Sequence, residues 1–146
     1  MVQFPTAIKV PARLDNLYQL LEFVASCAKQ QGAGEERVRE IDLVMEELLV
    51  NIFNYAYPEG AGEVEIACRI DDAGMLLVEI ADGGVPFDIL SKGDPDREAD
   101  IEERPIGGLG IFFVRQLVQD IQYRREGGRN ILTLTVDPAP AAPGGA

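Results

Sequence analysis

Histidine is absent from this 146-residue sequence, tryptophan is absent too, and there are only two cysteines. Without histidine, neither a Ser/His/Asp nor a Cys/His nucleophile can be assembled, and the chain cannot phosphorylate itself on histidine. Any general base must then be a carboxylate, or less suitably Lys, Tyr or Cys. The cysteines, Cys27 and Cys68, lie in unrelated segments with no CxxC pattern. Both are therefore expected to pack as small hydrophobes rather than to hold a metal or do redox chemistry. Positive charge is also scarce: 13 Lys and Arg against 25 Asp and Glu give a net charge of −12 at pH 7. That balance repels a phosphate backbone and no basic stripe offsets it, so direct nucleic-acid binding is not expected. The acidity suits a basic protein surface, or simple solubility. Long apolar runs are missing, and the opening MVQFPTAIKV lacks the basic and apolar regions of a signal peptide. A soluble cytoplasmic protein with no membrane contact is the expectation.

What is present is enough for one core. With 47% hydrophobic residues over this length, a single domain over 1–136 is expected, followed by a disordered Pro/Ala/Gly tail over 137–146. Phe4 to Val10 reads as a strand closed by Pro11. Apolar residues recur at helical spacing from Leu14 to Gln31, and again from Glu35 to Tyr57, where Pro58 and Gly60 stop the pattern. Gly62 to Asp71 and Met75 to Ala81 flank the turn signal DDAG and read as an antiparallel hairpin. A polar, Gly- and Pro-bearing stretch over 89–107 is longer than the roughly 15 residues of ordinary loops, which marks a functional lid. A helix through Ile111, Val114, Leu117 and Val118 follows, and then two strands, Ile121 to Arg125 and Asn130 to Val136, joined by EGGR. This order predicts an α/β two-layer sandwich: a mixed, largely antiparallel sheet with its helices on one face.

Three segments carry chemistry. On the second helix, about 100° per residue gathers Glu47, Asn51 and Asn54 within roughly 60°, apart from the apolar stripe of Ile41, Met45, Leu48 and Ile52. An amide one turn from a carboxylate can give Mg²⁺ a neutral oxygen while the carboxylate takes a proton; a plain solvated face is the bland alternative. In ADGGVPFD, Asp82 sits where a strand meets a loop. It can accept a hydrogen bond from an exocyclic amine, with Gly84 permitting close approach of a flat ring, or it can simply cap a turn. In RPIGGLGIFFVRQL, Gly107, Gly108, Leu109 and Gly110 place backbone N–H groups at a helix entrance, an anion site in type, and Arg104 is the nearest cation for a terminal phosphate. The glycines match neither a P-loop nor a dinucleotide-binding turn.

Together EELLVNIFNYAY, DGGVPFD, the long lid and GGLGIFFVRQLVQDIQYRREGGRNILTL resemble the N, G1 and G2 boxes of the GHKL ATPases, in order and spacing. The resemblance covers roughly Val38 to Val136 and is nearest to the bacterial anti-sigma factor serine/threonine kinases. It implies the GHKL fold, with ATP and Mg²⁺ as cofactors. By the motifs, Glu47 corresponds to the general base, Asn51 to the Mg²⁺ ligand, Asp82 to the adenine-binding Asp and Gly84 to the glycine beneath the ring. Gly108 and Gly110 correspond to the lid-hinge and phosphate-contacting glycines. It further implies a homodimer that holds a sigma factor and phosphorylates a STAS-domain anti-anti-sigma protein. Many relatives carry His near the end of the N box where this sequence has Tyr55.

Two other classes compete with a kinase. A non-catalytic module that binds nucleotide and sequesters a regulator would have nearly the same sequence, although loss of Glu47 would be its signature and Glu47 is present. A topoisomerase- or chaperone-type ATPase would carry a transducer domain after the last strand. A histidine-kinase catalytic domain acting on a separate acceptor is the remaining relative in type.

Overall fold

The computed structural model describes residues 6–92 and 110–139. β1 (Thr6–Pro11) leads through a 3-10 turn, Leu14–Asn16, into α1 (Leu17–Gln30). α2 (Glu35–Asn51) runs on into a π-helical turn, Ile52–Ala56; β2 (Glu63–Ile70) and β3 (Leu76–Asp82) follow. After a second 3-10 turn, Ile89–Lys92, come α3 (Gly110–Leu117), β4 (Asp120–Glu126) and β5 (Arg129–Val136).

The helices form where the apolar period required them. Leu20, Val24 and Ala28 of α1 are fully buried one turn apart, as are Met45, Leu48 and Leu49 of α2. Each Leu, Val or Met so buried contributes about 1.5–3 kcal/mol over exposure. α1 stops at Gly32, whose φ of +96° suits glycine. There Ala33 N–H reaches Ala28 O at 3.0 Å and Gly32 N–H reaches Lys29 O at 2.9 Å, a paired closure that satisfies two otherwise unpaired carbonyls. The start of α2 is fixed from the far end of the domain. Buried Arg37 donates Nε to Asp137 O at 2.9 Å and pairs with Glu40 at 2.8 Å.

The sheet runs β1-β2-β3-β5-β4, and all four pairings are antiparallel. The expected two-layer α/β sandwich is therefore observed, with its largely antiparallel sheet antiparallel at every described pairing. The DDAG turn closes because Asp71 Oδ1 accepts Ala73 N–H at 2.8 Å and Met75 N–H at 3.0 Å while Gly74 takes φ +85°. The β4–β5 turn uses Gly127 and Gly128, both at positive φ, the two-residue geometry whose twist matches the strands. Alternation along β2, β3 and β5 puts Val64, Ile66, Cys68, Leu76, Val78, Ile80, Leu132, Leu134 and Val136 into the core beneath the helices. Asp82 and Asn130 occupy the next positions in that alternation and lie opposite each other across β3 and β5. Two polar residues thus stand where the pattern calls for apolar ones.

Of the expected lid, Ile89–Lys92 forms the second 3-10 turn, and Ile89 is buried in the core. The remainder, with Arg104, Gly107, Gly108 and Leu109, lies outside the described residues, as does residue 140 onward of the expected tail.

Candidate active site

At the β3–β5 end of the sheet, Asp82 is 2% exposed and Asn130 4%. Asp82 Oδ1 accepts Asn130 Nδ2–H at 2.8 Å and Gly84 N–H at 2.8 Å. Burial pushes the Asp82 carboxyl above the ordinary Asp range, and these two hydrogen bonds, with the charges of Arg125 and Arg129, pull the other way. Asn130 in turn organises the loop after β3. Its Nδ2 also donates to Val85 O at 2.9 Å, and its Oδ1 accepts Tyr123 Oη–H at 2.6 Å, Phe87 N–H at 3.1 Å and Arg125 Nη1–H at 3.1 Å. Arg125 closes the ring by donating to Gly84 O at 2.8 Å. A buried polar cluster satisfied this fully is rigid, because every alternative geometry leaves a group unpaired.

The same loop is docked onto the end of α2. Val85 N–H bonds to Ala56 O at 2.8 Å, and Tyr57 Oη accepts Gly83 N–H at 2.7 Å while donating to Glu63 O at 2.7 Å. Gly84 is buried in this junction, and a Cβ built on it overlaps the Ala56 carbonyl. Close backbone approach thus requires glycine here on the protein's own account, whatever lies on the other side. The π-helical turn, a device frequent at functional sites, is what carries Ala56 and Tyr57 to the loop. Tyr55, on the same turn, packs its ring on Phe87 at 5.4 Å between centroids.

Further along α2, Glu47 and Asn51 meet as their spacing required. Asn51 Nδ2 donates to Glu47 O at 2.7 Å and to Glu47 Oε2 at 3.2 Å. Glu47 Oε2 also accepts Gly110 N–H at 3.2 Å, from the first residue of α3, where Gly110 has φ +80°. The carboxylate of the N box and the glycine helix entrance therefore come together across 63 positions of chain. Asn54 lies on the π-helical turn and is exposed; no described hydrogen bond joins it to this pair. The angular sector that grouped it with Glu47 and Asn51 assumes an unbroken α-helix, which ends at Asn51.

The donor set is compatible with a Mg²⁺ site. Among the described residues there is no cluster of three or more His, Cys, Asp or Glu side chains. A protein cage is not needed, because Mg²⁺ is commonly held by one or two protein oxygens plus phosphates and water. Asn51, with Nδ2 committed to Glu47, keeps its Oδ1 as a neutral hard ligand.

The profile of the histidine kinase-like ATPase domain matches residues 10–136, nearly the whole described fold. The chain belongs to this family. Serine-protein kinase RsbW of Bacillus cereus (strain AH820) and of Bacillus anthracis are each 29% identical to it over 129 residues, 86% of this chain and 80% of theirs. Among solved structures, the RsbU and RsbW domains of a Mycobacterium tuberculosis protein superpose with TM-score 0.57 at 15% identity, covering 90% of this chain and 32% of that one. The histidine kinase domain of a blue-light activated histidine kinase from Erythrobacter litoralis gives TM-score 0.51 at 23% identity, over 83% of this chain and 60% of that one. These neighbours share the GHKL-type fold.

Within this histidine kinase-like ATPase domain the motif residues fall into two groups: Glu47, Asn51 and Gly110 meet between α2 and the start of α3, and Asp82 and Gly84 lie at the β3–β5 end of the sheet, against the π-helical turn that follows α2. Sequence reasoning missed Asn130, Tyr123, Arg125 and Tyr57. Asn130 carried a readable signal, a polar residue at an apolar position of the β5 alternation, directly opposite Asp82. The other three carried none, since a Tyr after a helix and a Tyr or Arg on a strand next to a turn are ordinary choices.

Proposed function

We propose that this chain is an ATP-dependent serine/threonine protein kinase and anti-sigma factor that phosphorylates a STAS-domain anti-anti-sigma protein. The observation that carries the reading is the junction of Glu47 with Asn51 and Gly110 N–H, a carboxylate held beside an amide ligand and a glycine helix entrance. The names of the RsbW relatives support the serine-protein kinase part of this reading. Asp82, buried and oriented by Asn130 and Gly84, receives the exocyclic amine of adenine. Asn51 Oδ1 would hold Mg²⁺, which supplies charge neutralisation between the phosphates when bound. Glu47 accepts the proton of the acceptor hydroxyl as that oxygen attacks the terminal phosphorus in line. The glycines at 107, 108 and 110, with Leu109 and Arg104, serve the phosphates. A cytoplasmic homodimer that holds a sigma factor in one state and the STAS protein in the other completes the proposal. No described helix is long and apolar enough to cross a membrane.

The test is transfer of label from γ-labelled ATP, with Mg²⁺, to a panel of STAS-domain proteins from the same source. Label on a serine or threonine of one of them is the expected result. Tight nucleotide binding without label on any acceptor would overturn the kinase and leave a sequestering module in its place.

A further inference from the structure

The two thiols that the sequence separates are neighbours in the fold. Cys27 sits on the sheet-facing side of α1, half-buried against the core, and Cys68 lies on β2 with 1% exposure. Thr6 of β1 is the cross-strand partner of Cys68, and its Oγ1 lies 3.6 Å from Cys27 Sγ. As a cross-strand pair, Thr6 and Cys68 share one face of the sheet, so the Cys68 thiol lies beside the hydroxyl that contacts Cys27. Both pack in or against the core as expected, and they also form a pair: one thiol with partial access to solvent and a second that is shielded. We propose that Cys27 is an oxidation site for small hydroperoxides and that Cys68 resolves it into an intramolecular disulfide joining α1 to β2.

The chemistry follows from who can donate to whom. The neighbouring Cys68 thiol, and the Thr6 hydroxyl 3.6 Å away when it donates, favour the Cys27 thiolate and lower its proton affinity against the opposing effect of burial. Cys68, screened from water and facing that thiolate, keeps its proton. The Cys27 thiolate attacks one peroxide oxygen and the O–O bond breaks. The sulfur is oxidised to sulfenic acid, and the peroxide is reduced, its second oxygen leaving as alcohol or water after taking a proton. Cys68 then attacks the Cys27 sulfur; the S–O bond breaks, the S–S bond forms, and the hydroxyl leaves as water with the Cys68 proton. Two thiols and one hydroperoxide yield one disulfide, one alcohol or water and one further water.

The experiment treats the full chain with hydrogen peroxide and follows free thiols, intact mass and a non-reducing peptide map. Wild type should lose both thiols together, drop in mass by two hydrogens, stay unlinked to other chains, and give one crosslinked peptide pair containing Cys27 and Cys68. Cys68→Ala should accumulate a dimedone-reactive sulfenic acid at Cys27. Cys27→Ala, which removes the partly accessible thiol, should keep Cys68 reduced at peroxide doses that fully oxidise wild type. Retention of both thiols in wild type, crosslinks between chains, or oxidation of Cys68 at an undiminished rate in Cys27→Ala would each overturn the proposal.

Discussion

At the β3–β5 end of the sheet, Asp82 is 2% exposed and its Oδ1 is fixed by two bonds of 2.8 Å, whereas on α2 the half-buried Glu47 holds its Oε2 by two bonds of 3.2 Å. The first region is finished before any nucleotide arrives: Asn130 makes five hydrogen bonds there, and the loop is locked to Ala56 and Tyr57. The second is loosely tethered, and its only described partner beyond α2 is the first residue of α3. Preorganised hydrogen bonds favour recognition, while a carboxylate that must release its tethers to meet an acceptor hydroxyl favours chemistry. Affinity and transfer should therefore separate between the two regions, and substitutions at each can break or sharpen that division.

The largest effect is expected at Glu47. Glu47→Gln keeps an oxygen for Gly110 N–H but no proton acceptor, so transfer should fall by about 10²–10⁴-fold, measured as initial rate of acceptor labelling, with ATP affinity retained. Next comes Asp82→Asn, which can still accept from Asn130 and Gly84 but loses the charge that meets an amine. ATP affinity should drop by about 10–100-fold in a calorimetric titration. The same variant has a signed pH signature. Because burial raises the folded-state pKa of Asp82 above its unfolded value, ionisation costs the native state stability, and that cost appears as pH rises from the ordinary Asp range through the raised one. The Tm of Asp82→Asn should exceed that of wild type by a margin that grows across this window and closes below it.

Asn130→Ala leaves several buried partners unsatisfied, so a loss of about 2 kcal/mol is expected in urea unfolding, with ATP affinity falling because Asp82 loses its orientation. Tyr57→Phe is the smallest. It removes the hydroxyl that joins Gly83 N–H to Glu63 O at a solvent-accessible position, which should cost about 1 kcal/mol and leave transfer unchanged when saturated with ATP.

Much of this was legible in the sequence, for reasons particular to each element. The hairpins were readable because DDAG and EGGR have one efficient turn geometry each, and both are used. α1 and α2 were readable from their apolar period, and the Glu47–Asn51 contact follows from a four-residue spacing. The π-helical turn was not, because Ile52, Phe53 and Ala56 continue an apolar series that an α-helix would also accept. The Asn130 cluster depends on strand order, since β3 and β5 become neighbours only after the chain passes through α3 and β4. The meeting of Cys27 with Cys68 depends on how α1 lies on the sheet, which no local pattern encodes.

The most direct test of the division is ATP titration of Asp82→Asn and Glu47→Gln side by side, under identical Mg²⁺ and salt. The account predicts that Asp82→Asn binds ATP far more weakly than wild type while Glu47→Gln binds it about as well. Equal loss in both, or loss in Glu47→Gln alone, would contradict it.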